Sequence, residues 1–223
     1  MTRDANLKVR VKSAKGRKLS STRWLERQLN DPFVREANRL GYRSRAAFKI
    51  QEIHEKFNIF QPGQCVLDLG AAPGGWSQIA AQYVNKGQQR GQVLAVDILP
   101  INSLSEVDSM QLDIFQEDSL DLIKAKMIKP EADIILSDMA PSTTGHKSTD
   151  HIRIIALLEN ALDIAENLLA DGGVFVGKVF RGGTESDILK RMKIKFQNVK
   201  HIKPKSSRAN STELYVVGLN YRK

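Results

Sequence analysis

Short apolar runs alternate with helical periods along most of this chain. The run Cys65-Val66-Leu67-Asp68-Leu69-Gly70 is interrupted only by Asp68. Comparable runs at 92–97, 109–113, 132–137, 173–180, 197–203 and 213–220 are read, like 65–70, as strands. Between them, apolar residues at helical spacing predict helices at about 75–84, 117–127, 151–169 and 184–194. Strands that alternate with helices form a parallel sheet covered on both faces. The last two strands are joined only by Pro204 to Thr212, which leaves no room for a helix, so the chain reverses directly and one edge strand runs antiparallel. The expected fold class is α/β and Rossmann-like: seven strands, mostly parallel, with one antiparallel edge strand and helices on both faces.

Ahead of the sheet the pattern changes. Residues 1–22 are polar and basic and are read as a flexible tail. Helical patterns follow at 21–29 and 32–40, and Ser44 is placed as the cap of a clearer helix from Arg45 to Phe57. Ala47, Ile50, Ile53 and Phe57 share its apolar face, and Lys49 is read as lying off that stripe, beside Arg45. Pro62-Gly63 ends the region. Residues 23–223 are thus one domain, with a helical segment at 23–62 and a sheet core at 63–223.

Composition changes this picture through the placement of charge. The net charge of +9 hides a centre, residues 61–189, with 9 basic and 18 acidic side chains. Residues 1–60 carry 15 basic and 6 acidic side chains, and residues 190–223 carry 10 and 1. Eight Lys/Arg and no acid lie between Lys190 and Arg208. An acidic small-molecule domain between two basic segments suits a protein that works on a polyanion. The single Cys65 opens an apolar run and is expected buried, in a reducing compartment. There is no apolar stretch of membrane-spanning length and no signal-peptide pattern, so a cytoplasmic protein is expected, without a membrane partner.

The candidate chemistry begins where the first strand ends. Gly70-Ala71-Ala72-Pro73-Gly74-Gly75-Trp76-Ser77 is a loop of small residues entering a helix. Small residues let a backbone approach a ligand closely. The next strand ends in Asp97, placed to accept hydrogen bonds from both hydroxyls of a ribose. The loop is not G-x-G-x-x-G, and Pro73 has no N–H for a phosphate. S-adenosylmethionine, an adenosine cofactor without a pyrophosphate, fits better than a nicotinamide dinucleotide. Ligands of such sheets bind at the carboxyl ends of the strands. Asp68, Asp97, Asp113, Asp138 and Lys178 occupy those ends, more ionisable groups than turn chemistry requires.

Five stretches, in order, carry a resemblance to a known family: Tyr42-Arg43-Ser44-Arg45-Ala46-Ala47-Phe48-Lys49, Asp68 to Gln78, Leu136-Ser137-Asp138-Met139-Ala140-Pro141, Gly177-Lys178-Val179-Phe180 and Ser211-Thr212-Glu213-Leu214-Tyr215. Together they resemble the FtsJ/RrmJ (RlmE-type) ribosomal RNA 2′-O-ribose methyltransferases, from about Arg23 to Tyr221. The resemblance implies the S-adenosylmethionine-dependent methyltransferase form of the Rossmann-like fold, and a catalytic tetrad at Lys49, Asp138, Lys178 and Glu213. It implies cofactor contacts at Gly74, Trp76, Asp97, Asp113 and Asp138. The substrate it implies is ribosomal RNA of the large subunit, in bacterial members a uridine of the A-loop, with residues 23–62 facing the RNA. The long basic N-terminal tail is not part of the shared pattern.

Methyl transfer from a sulfonium is an in-line displacement, so the protein supplies positioning and proton management. A ribose hydroxyl needs a base within hydrogen-bond reach, and Lys178, late in an apolar strand, is the candidate. A lysine is a base only when neutral, and its ordinary pKa is about 10.4. Desolvation and a second cation such as Lys49 favour the neutral amine, whereas direct pairing with Asp138 or Glu213 opposes it. Sequence leaves both alternatives open. Cys65 sits at the wrong end of its strand to serve a C5 transfer. Asp138-Met139-Ala140-Pro141-Ser142 lacks the aromatic that would clamp an exocyclic amine. Both absences favour a hydroxyl acceptor. The histidines 54, 146, 151 and 201 show no metal-ligand spacing, so no metal is expected. Ser142 to Asp150 is read as a loop able to close over substrate. A monomer is expected. The alternative function is an RNA-binding assembly factor that has lost activity, against which the filled tetrad argues.

Overall fold

Cys65–Leu69 (β1) is buried at every position, which is why its sequence shows no polar alternation. It is an interior strand of the sheet in a computed structural model that describes residues 9–11, 19–141, 147–180, 186–209 and 211–223. Gln92–Asp97 (β2) and Ala132–Ser137 (β4) pair with β1 in parallel. Asp108–Gln111 (β3) lies outside β2, and Leu169–Phe180 (β5) lies beyond β4, both parallel. Phe196–Ile202 (β6) and Glu213–Tyr221 (β7) complete the order β3-β2-β1-β4-β5-β7-β6. The reversal after β6 puts the antiparallel pairing at this edge of the sheet. The reversed strand, β7, enters between β5 and β6 and runs antiparallel to both. Burial explains the order: Tyr215, Val216 and Val217 need cover on both faces, whereas most of β6 is exposed.

Helices cover both faces. Ser119–Lys126 (α5), Lys147–Leu168 (α6) and Ser186–Lys195 (α7) pack on one, around Leu67, Leu94, Ile135 and Phe175. Ala47–Phe57 (α3) and Gly75–Val84 (α4) pack on the other, around Val66, Ile134, Val176, Tyr215 and Val217. Leu19–Leu29 (α1) and Pro32–Leu40 (α2) precede them. The ends of α2 follow from its sequence: Asp31 accepts the Phe33 N–H, Pro32 opens the first turn, and Gly41 closes the helix at φ +71°.

Several boundaries differ from the expectation. Helix α3 starts at Ala47 without a side-chain cap, and the Ser44 hydroxyl accepts only from Ala46 N at 3.2 Å. Lys49 is not off the apolar face but buried, one turn before Ile53. β3 stops at Gln111, so Asp113 lies in the loop beyond it. Helix α6 begins at Lys147, inside the stretch read as a loop, and 142–146 lie outside the described residues, as do 184–185 of the helix expected from 184. Helix α1 likewise starts within the expected tail. Of the rest of that tail only 9–11 are described, and Val9 exchanges two backbone hydrogen bonds with the Asn30 side chain. No helix among the described residues is long and apolar enough to cross a membrane.

Candidate active site

The small-residue loop is shaped by close packing at two glycines. The Gly70 and Ala71 amides both donate to the Val96 carbonyl, so the chain folds across the end of β2. Gly70 has φ +73°, and a Cβ there would collide with Met139 Cγ. Gly74 has φ +108°, and its Cβ would collide with Leu104 Cδ1. A side chain fits at neither position. Asp97 braces the loop through Oδ2, which accepts the Ala72 N–H at 2.9 Å, while Oδ1 accepts the Leu99 N–H of its own turn at 2.8 Å. Each oxygen keeps a further lone pair for a ligand.

A cleft of about 560 Å³ opens beside this loop, lined by Gly70, Ala72, Asp97, Asp113, Asp138 and Met139 among others. Ile98, Leu99 and Phe115 also line it and stay exposed. Asp113 is exposed, with Oδ1 accepting the Phe115 N–H at 3.0 Å. Apolar walls with a few convergent carboxylates suit an adenosine, whose base is flat and whose hydroxyls donate hydrogen bonds. The residues present therefore fit S-adenosylmethionine.

Asp138 also belongs to a second feature, a buried cluster of four charges. Strand register assembles it. Lys178 of β5 stands opposite Tyr215 of β7, and Phe180 opposite Glu213. Lys178, Tyr215 and Glu213 therefore share the sheet face on which α3 packs, and α3 brings Lys49 to it. Lys178 Nζ is 2.7 Å from Asp138 Oδ1 and 3.9 Å from Glu213 Oε2. Lys49 Nζ is 2.8 Å from Glu213 Oε1 and 3.9 Å from Asp138 Oδ2. Each lysine thus has one close carboxylate and shares the other. All four side chains are between 8 and 16 % exposed, low enough for the pairing to hold them in place. Tyr215 completes the link, donating to Asp138 Oδ1 at 2.7 Å and accepting from Lys49 Nζ at 3.0 Å. Ser207 donates to Glu213 Oε1 at 2.9 Å.

The electrostatics follow from this geometry. Burial alone would raise the Asp138 carboxyl, but Lys178 and Lys49, with hydrogen bonds from Lys178 and Tyr215, hold it below the ordinary carboxylate value. Burial, and then the charges of Asp138 and Glu213, push the Tyr215 hydroxyl well above its usual range, so it remains a donor. Asp68 behaves differently. It is fully buried, and burial pushes its carboxyl up to about 7, against the Ser77 hydroxyl bond and with help from Asp138 and Asp97.

Lys49, Asp138, Lys178 and Glu213 thus come together, and Asp97 and Asp113 line the neighbouring cleft with Asp138. Gly74 lies under Leu104. The Trp76 indole turns into the core against Tyr215, with Nε1 donating to the Ala46 carbonyl. Tyr215 and Ser207 have no role in the sequence reading. A residue two after Glu213 in a strand must share its face, a signal available for Tyr215. Among the described residues no group of three or more His, Cys, Asp and Glu is placed to hold a metal ion.

The strand order, the reversed β7 and a cleft at the carboxyl ends of β1, β2 and β4 define a methyltransferase of the Rossmann-like class. The chain belongs to the FtsJ-like methyltransferase family, whose model matches residues 42–221. It is 51% identical, over 95% of its length and 94% of the relative's, to the ribosomal RNA large subunit methyltransferase E of Rickettsia bellii. It is 53% identical to the protein of the same name from Paramagnetospirillum magneticum, over 97% of this chain and 89% of that one. A crystal structure of a ribosomal RNA methyltransferase from Plasmodium falciparum superposes with a TM-score of 0.72 at 28% identity, covering 81% of this chain and 98% of that one.

Proposed function

We propose that this protein transfers the methyl group of S-adenosylmethionine to a ribose 2′-hydroxyl of ribosomal RNA, at a uridine in the A-loop of the large-subunit RNA. The relatives' names, which specify the large ribosomal subunit, support the substrate. The observation that carries the chemistry is the buried cluster of Lys49, Asp138, Lys178 and Glu213 at the edge of the cleft.

When bound, the cofactor supplies a methyl group already activated by a sulfonium. Asp97 would hold its ribose, Asp113 its base, and the backbone around Gly74 and Trp76 its tail. Lys178 takes the proton of the 2′-hydroxyl. Its ammonium donates to Asp138 Oδ1 and to the Asp138 carbonyl, at 2.7 and 2.8 Å, leaving one of three positions for a substrate oxygen. Asp138 orients Lys178. Glu213 keeps Lys49 beside it, and Lys49 adds positive charge where the alkoxide develops. A lysine accepts a proton only as the neutral amine, so Lys178 releases its own proton to solvent before each turnover.

RNA reaches this centre past the connection between β6 and β7. Glu52 of α3 accepts from the Lys205 and Ser206 amides at 2.5 and 2.8 Å, and Arg45 donates to the Ser206 carbonyl. Lys203 and Lys205 are exposed in this connection, next to Ser207 and Glu213. The test is transfer of a tritiated methyl group to large-subunit RNA from cells lacking the gene. One alkali-resistant, methylated uridine ribose in the A-loop is expected. Methylation of a base, or no transfer with cofactor bound, would overturn the reading.

A further inference from the structure

Asp68 is a buried acid that the proposed reaction does not use. It lies in β1 with no exposed surface. Its Oδ2 accepts from the Ser77 hydroxyl at 2.5 Å, and its Oδ1 is buried without any hydrogen-bond partner. A buried acceptor left unpaired forfeits its hydration without compensation, so such an atom marks a place for something else. Asp68 lines a small cavity of about 50 Å³ together with Ser44, Trp76, Asp138, Gly75 and the loop from Gly70 to Pro73. That is room for one small polar group, since a water takes roughly 30 Å³.

The surrounding charges select the sign of that group. Asp97 at the end of β2 and Asp138 beyond β4 both act on Asp68, and Ser77 of α4 is neutral. Lys49 of α3 and Lys178 of β5 are engaged with Asp138 and Glu213. Around Asp68 the acids therefore outnumber the cations left to meet them. We infer that Asp68 receives a cationic group of the cofactor in this cavity and gives up a proton to do so, which makes cofactor binding proton-linked. The inference rests on the S-adenosylmethionine reading above. That cofactor has two cations, an ammonium in its amino-acid tail and the sulfonium. The demethylated product keeps only the ammonium, and 5′-methylthioadenosine has neither.

With the Asp68 carboxyl raised to about 7 by burial, both of its forms are populated near neutrality. A bound cation favours the ionised form, so affinity rises with pH up to about 7 and then levels. The experiment is calorimetric titration of the full chain at pH 6.5 in buffers of widely different ionisation enthalpy. S-adenosylmethionine should release roughly three-quarters of a proton, and 5′-methylthioadenosine none. S-adenosylhomocysteine should release as much if the ammonium is the partner and none if the sulfonium is. Asp68→Asn should bind S-adenosylmethionine without proton release. Binding to the wild type without release, or release unchanged in Asp68→Asn, would overturn the inference alone. No binding of S-adenosylmethionine would bring down the cofactor reading and the inference with it.

Discussion

The cleft beside Asp97 and the charge cluster around Asp138 touch, yet they are held in different ways. The cleft is made by one loop and the strand ends next to it, and its carboxylates at Asp97 and Asp113 are bound to nearby amides and open to solvent. The cluster draws its four charges from α3, β5, β7 and the turn after β4, and each is nearly buried. In the cleft, removing one group leaves its neighbours hydrated. In the cluster, removing one group strands a buried charge, which typically costs 3–5 kcal/mol. The cleft therefore tolerates change by losing ligand affinity, whereas the cluster passes any change to every member.

The largest effect should come from Lys178, where charge and proton transfer can be separated. Lys178→Arg keeps a cation that does not deprotonate at workable pH. If Lys178 takes the proton, Arg and Ala should both lose about 10²–10⁴-fold in single-turnover rate, or roughly 3–5 kcal/mol of barrier. Cofactor binding, a property of the cleft, should survive in Lys178→Arg. Single-turnover rates measured across pH 6–10 compare the two variants with the wild type. An Arg variant within about fivefold of wild type, with the same pH profile, would leave Lys178 an electrostatic role.

A second test uses Asp68, which is covered by both regions. Its carboxyl stands at about 7 in the fold, above the ordinary 3.8. The folded protein therefore holds a proton that the unfolded chain has released between these values. The stability this contributes is complete below about pH 4 and is lost as pH rises through 7. Asp68→Asn cannot ionise, so its stability relative to wild type should grow across that window, by up to about 4 kcal/mol at pH 8. Urea midpoints without cofactor, at pH 5 and pH 8, measure the difference. An identical difference at both pH values would contradict the burial argument.

The open side should respond more mildly. Asp97→Ala removes the proposed ribose acceptor, one brace of the loop and one of its own turn. Charge-assisted hydrogen bonds are worth roughly 1.5–3 kcal/mol, so S-adenosylmethionine affinity should fall tenfold or more while the fold persists. Titration calorimetry with circular dichroism reads both. Unchanged affinity in a folded variant would remove Asp97 from the site.

The contrast also decides what could be read from sequence. The order of strands and helices was legible, because β1, β2 and β4 are covered on both faces and must be continuously apolar. The cleft was legible because it is contiguous: Gly70 to Gly75 and the Asp ending the next strand lie within one β-α-β unit. The residues of the cluster were named through the family resemblance, but their pairing was not, since it depends on the register between β5 and β7. Lys49 was misplaced for a related reason. A helical projection shows where apolar residues point, whereas a lysine enters a core only if carboxylates from other elements meet it. Tyr215 went without a role because an aromatic in a strand is ordinary core chemistry. Asp68 was noted as a polar break in β1, but its orphaned oxygen depends on how α4 and Ser77 pack above it.

The smallest effect should come from Tyr215→Phe. It removes a hydroxyl from the middle of the cluster but no charge. Afterwards Lys178 still has Asp138 at 2.7 Å, and Lys49 still has Glu213 at 2.8 Å. No ionised group loses its close partner, so the cost should be that of a hydrogen bond to a charged group, roughly 1.5–3 kcal/mol, rather than the about 3–5 kcal/mol of a broken buried pair. The ring stays, and with it the packing against Trp76. Urea unfolding should show this modest loss, and the single-turnover rate should fall by less than about tenfold, which corresponds to 1.4 kcal/mol. A fall beyond a hundredfold with stability nearly unchanged would mean that Tyr215 does more than hold Lys49 and Asp138 apart. Its hydroxyl would then take part in managing the proton, and the cluster would have five working members instead of four.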